Sequence, residues 1–155
     1  MIVIGDPKIT STYISSHVWY VLTELLKNAC RVVIEVHGNR SHSERGALGV
    51  PPVLVTITHG ADEVQIRVLD HGTGISDELR KLIWSYMFTT VDKMKQQLQV
   101  AGCGVGLPVS KLYAGYFGGS LNLADYKEGE GALFTVIFSH RHSSVEQLVL
   151  RETSQ

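Results

Sequence analysis

Glu24, Asn28, Arg31 and Glu35 stand at i, i+4, i+7 and i+11 in the chain. At about 3.6 residues per turn these four form one stripe along a helix, and His17 and Tyr20 extend it toward the N-terminus. A solvent-facing stripe is the plainer reading. Against it stand the remaining faces of the segment, which are almost wholly apolar, and a mixture of carboxylate, carboxamide and guanidinium in place of a Lys/Glu blend. Asn is a poor helix former, so its place at mid-helix points to a use for its amide oxygen. A hard cation such as Mg²⁺ takes oxygen ligands and keeps waters and substrate phosphates.

A second carboxylate is placed by strand alternation. In Glu63 to Asp70, Val64, Ile66 and Val68 share one face, and Asp70 falls on that same face. A carboxylate aimed where core residues point must find donors, because an unpaired buried charge is costly. Gly72-Thr73-Gly74 follows, a backbone bare enough for a flat ligand to approach. An acceptor beside open glycine suits the exocyclic amino group of a purine. The alternative is an Asx-turn in which Asp70 only caps its own loop.

Gly102-Cys103-Gly104-Val105-Gly106 runs straight into an apolar segment that reads as a helix. Successive N–H groups at a helix start form an anion cradle. The loop lacks the Gly-Lys-Ser/Thr of a P-loop, and no strand precedes it as a dinucleotide fingerprint requires. A hinge is the bland alternative. Thr89-Thr90 offer hydroxyls to a phosphate or ribose, or serve as a cap or turn.

The elements that must carry these residues follow from pattern. Apolar residues at helical spacing predict a helix from Ser15-Ser16 to about His37, stopped at Gly38-Asn39. Residues 38–52 read as a loop. Val53 to His59 and Glu63 to Asp70 read as a hairpin across Gly60-Ala61-Asp62, and His71 to Gly74 as a turn. Ser76 caps a short helix predicted to reach about Tyr86, with Asp77 and Glu78 favourable in its first turn. Residues 89–101 have no clear period and read as a mobile connection. A helix is expected from Leu107 to about Phe117, ended by Gly118-Gly119, then strands Ser120 to Tyr126 and Ala132 to Ser139. Residues 140–155 read as a polar tail. This order predicts an α/β (α+β) two-layer sandwich, with helices on one face of a mixed, mainly antiparallel sheet.

The chain has 155 residues, which sets one domain as the expectation. Hydrophobic residues make up 44%, ordinary for a packed core. Lys+Arg 14 against Asp+Glu 15 gives a net charge of −1, which excludes a broadly basic surface for nucleic acid. No stretch is long and apolar enough to span a membrane. The two cysteines, Cys30 and Cys103, make neither a disulfide framework nor a CxxC site. The first residues show neither a signal-peptide nor a transit-peptide pattern, so no targeting segment is expected in this chain.

Glu24-x-x-x-Asn28, Asp70-x-Gly72-x-Gly74 and Gly102-x-Gly104-x-Gly106, in this order, resemble the N, G1 and G2 boxes of the GHKL ATP-binding superfamily. That group holds gyrase-type ATPases, Hsp90, histidine kinases, MutL and the mitochondrial protein kinases. Glu24-Leu25-Leu26-Lys27-Asn28-Ala29-Cys30-Arg31, Tyr86-Met87-Phe88-Thr89-Thr90, Gly104 to Ala114 and Gly118-Gly119-Ser120-Leu121 are similar to the pyruvate dehydrogenase kinases and the branched-chain 2-oxoacid dehydrogenase kinase. The resemblance covers roughly residues 14–139 as the core. It takes in residues 89–101 as an ATP lid and corresponds to the C-terminal half of such kinases, without their N-terminal helical bundle.

The resemblance implies a Bergerat-type ATP-binding fold and a mitochondrial-matrix protein serine kinase. Its substrate would be the E1 component of a pyruvate or branched-chain dehydrogenase complex, with the lipoyl-bearing E2 as partner. By it, Glu24 is the general base, Asn28 holds Mg²⁺, Arg31 lies near the nucleotide and Asp70 accepts the adenine amino group. Gly72 and Gly74 form the turn at the base, and Thr89 and Thr90 touch nucleotide at the foot of the lid. Gly102, Gly104, Val105, Gly106 and Leu107 wrap the phosphates. A K⁺ site maps onto Ile83, Ser85 and Phe88. Tyr20 stands where pyruvate dehydrogenase kinases place His, as in the branched-chain enzyme. Gly131-Ala132-Leu133 replaces the usual Thr-Asp after the last glycine. The homodimer of the family is not carried over by resemblance alone, since the C-terminal Asp-Trp arm of pyruvate dehydrogenase kinases has no counterpart here. A non-catalytic ATP-binding regulatory module, an ATPase of the gyrase, Hsp90 or histidine-kinase type, and a domain without ligand are the rival readings.

Overall fold

A computed structural model of the chain describes residues 1–11, 13–37, 50–88, 104–124 and 131–139. Strand β1 (Ile2–Ile4) is followed by the long helix α1 (Ser15–His37) and by β2 (Leu54–His59) and β3 (Glu63–Leu69). Helix α2 (Asp77–Leu82), helix α3 (Gly106–Gly115), β4 (Ser120–Ala124) and β5 (Leu133–Ser139) complete the order. The five strands form one sheet in the order β1-β2-β3-β5-β4. Only the β1–β2 pair is parallel; the others are antiparallel.

Alternation decides which face of the sheet is covered. Val64, Ile66 and Val68 of β3 pair with Phe138, Val136 and Phe134 of β5, and all six are buried. Leu121 of β4 extends the layer opposite Val136. Against them α1 turns Val21, Leu25, Ala29 and Val33, four residues apart and each at most 4% exposed. Helix α3 adds Ala114 to the same cluster. The two-layer arrangement expected from the pattern is the one observed: α1 and α3 lie side by side on one face.

Strands β2, β3 and β5 match the sequence expectation to within one residue at each end, and larger differences lie elsewhere. Strand β1 was not foreseen, because three residues are too few to show a period. Helix α2 ends at Leu82 and does not reach Tyr86. Ile83 closes it, and the chain then turns so that the Met87 N–H donates to the Gly104 carbonyl at 2.9 Å, with Met87 at φ 66°. A long-range bond outcompetes helical propensity there. Helix α3 begins one residue earlier than expected and ends at Gly115, not Phe117. The loop at 38–52 is described only from Val50, and the tail at 140–155 lies outside the described residues.

Candidate functional site

A cleft of about 610 Å³ opens between α1, the turn after β3, and the start of α3. Glu24, Asn28 and Arg31 line it from α1, as the stripe spacing requires. Asp70 and Gly74 line it from the end of β3, and Gly104, Gly106 and Leu107 from the approach to α3. Three segments far apart in sequence thus meet at one cavity.

Asp70 is 5% exposed. Its Oδ1 accepts the Gly72 N–H at 2.9 Å and the Ala132 N–H at 3.0 Å. The first bond is the local Asx-type contact that the sequence allowed; the second reaches across to the residue that leads into β5. Burial raises the carboxyl above its ordinary value of 3.8, and the Gly72 and Ala132 N–H groups and the nearby His71 pull it back down. Burial is the larger effect. Ala132 brings a methyl to the cleft and an N–H to Asp70.

Gly72 does not line the cleft. A Cβ there would collide with the Val32 side chain of α1, so its bare Cα serves the packing of helix on turn. The open approach expected of both glycines falls to Gly74 alone, which adopts φ 76° and lies close to the Gly131 carbonyl.

Glu24 is held on two sides. Its Oε1 accepts a bond from the Lys27 Nζ at 2.8 Å. On the other side the helix start leaves no room for a Cβ at Gly106, whose bare Cα abuts the carboxylate. Arg31 Nη1 lies 3.4 Å from Glu35 Oε1, so the stripe is tied along its length. The first turn of α3 has no side-chain cap: Val105 takes the N-cap position without a side-chain bond, and its carbonyl accepts the Val109 N–H at 3.0 Å. A helix of ten residues thus presents its N-terminal N–H groups beside the cleft.

Ile83 and Phe88 line the cleft, whereas Ser85 and Val105 do not. Thr89, Thr90, Gly102 and the segment 89–101 lie outside the described residues. Sequence reasoning missed the apolar wall: Val32 and Val36 from α1, Ile75 and Leu79 around α2, and Phe134. A flat apolar ligand needs such a wall, but an apolar residue carries no chemical signature that separates it from core. Thr73, between Gly72 and Gly74, lines the cleft as well.

Gly104 at φ 72° packs on the turn after α2, and a Cβ there would lie 2.5 Å from the Phe88 carbonyl oxygen. Gly104→Ala is therefore expected to cost about 2–3 kcal/mol, combining left-handed strain with a backbone clash. Thermal unfolding checks this; an unchanged midpoint contradicts the packing described.

A carboxylate beside bare backbone, an amide oxygen on a helix, and a glycine-led helix start around one cavity define a nucleotide-binding domain of mixed α/β type. Residues 14–142 match the family described as histidine kinase-, DNA gyrase B- and HSP90-like ATPase, and the chain belongs to that family. Within it, the chain is 34% identical to the mitochondrial pyruvate dehydrogenase (acetyl-transferring) kinase of Schizosaccharomyces pombe over 94% of its own length and 35% of that protein. It is 37% identical to the human mitochondrial pyruvate dehydrogenase kinase isozyme 1 over 77% of its length, and 26% of that protein. The Drosophila melanogaster mitochondrial kinase of the same name is 34% identical over 74% of the chain and 28% of that protein. The chain spans about a third or less of these relatives.

Proposed function

We propose that this chain is the ATP-binding catalytic unit of a mitochondrial protein serine kinase acting in the matrix on the E1 component of a 2-oxoacid dehydrogenase complex. The observation that carries the reading is the meeting of Glu24, Asn28 and Asp70 at one cleft. The names of the relatives point to the pyruvate complex first, with the branched-chain complex as the second substrate to try.

In this reading the adenine amino group donates to Asp70, and the ring lies between Gly74 and the apolar wall of Ile75 and Leu79. The N–H groups at Gly104, Val105, Gly106 and Leu107 receive the phosphates. By the family resemblance Gly102 would join them, and Thr89 and Thr90 would touch nucleotide at the foot of the lid. Asn28 supplies an amide oxygen to Mg²⁺, and the oxygen-donor character of the cleft suits that hard cation. When bound, the metal neutralises phosphate charge. Arg31 adds positive charge nearby. Carbonyl groups at Ile83, Ser85 and Phe88 would hold K⁺. Glu24 takes the proton of the serine hydroxyl as its oxygen bonds to the γ-phosphorus; the bond from that phosphorus to the bridging oxygen breaks, and ADP leaves. The lipoyl-bearing E2 would bring E1 to the kinase, and a homodimer is the assembly to look for.

Titration with ATP and Mg²⁺, followed by phosphate transfer from ATP to purified pyruvate and branched-chain E1 components, tests the reading. Binding with transfer to a serine is expected. Binding without transfer to either E1 makes the chain an ATP-binding regulatory module. Turnover of ATP with no protein acceptor makes it an ATPase of the gyrase or Hsp90 kind.

A further inference from the structure

A protein acceptor cannot reach Glu24 through a cleft filled by nucleotide, so it needs an approach of its own. A second cavity of about 570 Å³ also has Glu24 in its lining. Among the described residues Ser15, Ser16, Trp19, Tyr20, Thr23 and Glu24 line it. The two cavities share Glu24, the side chain assigned to the acceptor's proton. We infer that this groove receives the extended, uncharged stretch of the acceptor protein that carries its serine, an inference that rests on the kinase reading above.

Helical geometry explains the division. At about 100° per residue, Ser16, Trp19 and Thr23 share one face, and Tyr20 stands between that face and Glu24. Nucleotide takes the stripe running toward the C-terminal end of α1, the acceptor takes the stripe running toward its N-terminal end, and the two meet at Glu24. The lining fits a neutral strand. Glu24 is its one charged side chain among the described residues, and it stands at the end where the serine hydroxyl must arrive. Ser15, Ser16 and Thr23 offer hydroxyls that can pair with peptide N–H and C=O groups. Trp19 is 75% exposed, a large ring open to solvent at the edge of a catalytic cleft.

The test uses the intact protein, with KM and kcat measured for the E1 component and ATP affinity measured by calorimetry. Trp19→Ala is expected to raise the KM for E1 roughly tenfold, the scale of truncating an exposed aromatic contact. Trp19→Phe retains a ring and stays within about twofold, and Ser16→Arg, which puts charge and bulk into the groove, raises KM as Trp19→Ala does. ATP affinity is the same in all three as in wild type. An unchanged KM in both Trp19→Ala and Ser16→Arg overturns the groove assignment, and wild-type transfer then leaves the kinase reading standing. Lost ATP affinity in Trp19→Ala also overturns it, by giving the residue a structural role. Wild-type protein that binds ATP and passes phosphate to no E1 removes the kinase reading and the groove with it.

Discussion

Glu24→Gln leaves ATP bound and lowers phosphate transfer by on the order of 10³-fold, the scale of a positioned general base. The substitution keeps the shape that abuts Gly106 and an oxygen for the Lys27 Nζ, which now stands 2.8 Å from Oε1. What it removes is the capacity to take a proton. Geometry and packing are left in place, so the effect falls on the chemical step and not on nucleotide affinity. Quench-flow measurement of phosphoserine on E1, alongside calorimetry with ATP, separates the two. Transfer at the wild-type rate would remove Glu24 from the role.

Asp70→Asn acts on the other end of the cleft and is expected to weaken ATP binding by on the order of 100-fold. The Asn carbonyl oxygen can keep the N–H bonds from Gly72 and Ala132 that Oδ1 accepts. Its amide nitrogen then turns two donors toward an amino group that also donates, a mismatch in a dry site. Stability moves the opposite way. Burial raises the Asp70 carboxyl in the folded state above its ordinary 3.8, so the fold binds that proton more tightly than the unfolded chain does. The stability this contributes is present below the unfolded value and is lost as pH rises through the folded one. Asn does not titrate. In denaturant melts from about pH 3.5 to about pH 6, wild type should lose stability relative to Asp70→Asn as pH rises. A constant difference across that range contradicts the direction of the shift.

The parts of the fold that sequence made legible are those with a long period or a misplaced charge. Helix α1 runs Ser15–His37 as its apolar spacing requires, because twenty-three residues hold enough turns to define a face. Asp70 was conspicuous because a carboxylate followed three valine or isoleucine positions on one strand face. Other features depended on partners distant in sequence. The early end of α2 is set by the Met87 N–H to Gly104 carbonyl bond, which no local pattern announces. Gly72 looked like open backbone for a ligand, yet Val32 occupies that space, and nothing in either residue's neighbourhood names the other. His17, on the stripe by spacing, stacks on Tyr113 with ring centroids 4.2 Å apart, at the end of α1 away from Asp70.

The fit of Val32 into the space above Gly72 has a mechanical consequence. The His37 Nε2 sits 2.9 Å from the His71 carbonyl oxygen, a second fastening between the same two pieces of chain. Together they join the helix that bears Glu24, Asn28 and Arg31 to the turn that begins at Asp70. Gly104 is mounted elsewhere, on the Met87–Phe88 turn. Two residues further on, the bare Cα of Gly106 bears directly on the Glu24 carboxylate, so a displacement of this loop is felt at Glu24 before it reaches Asp70.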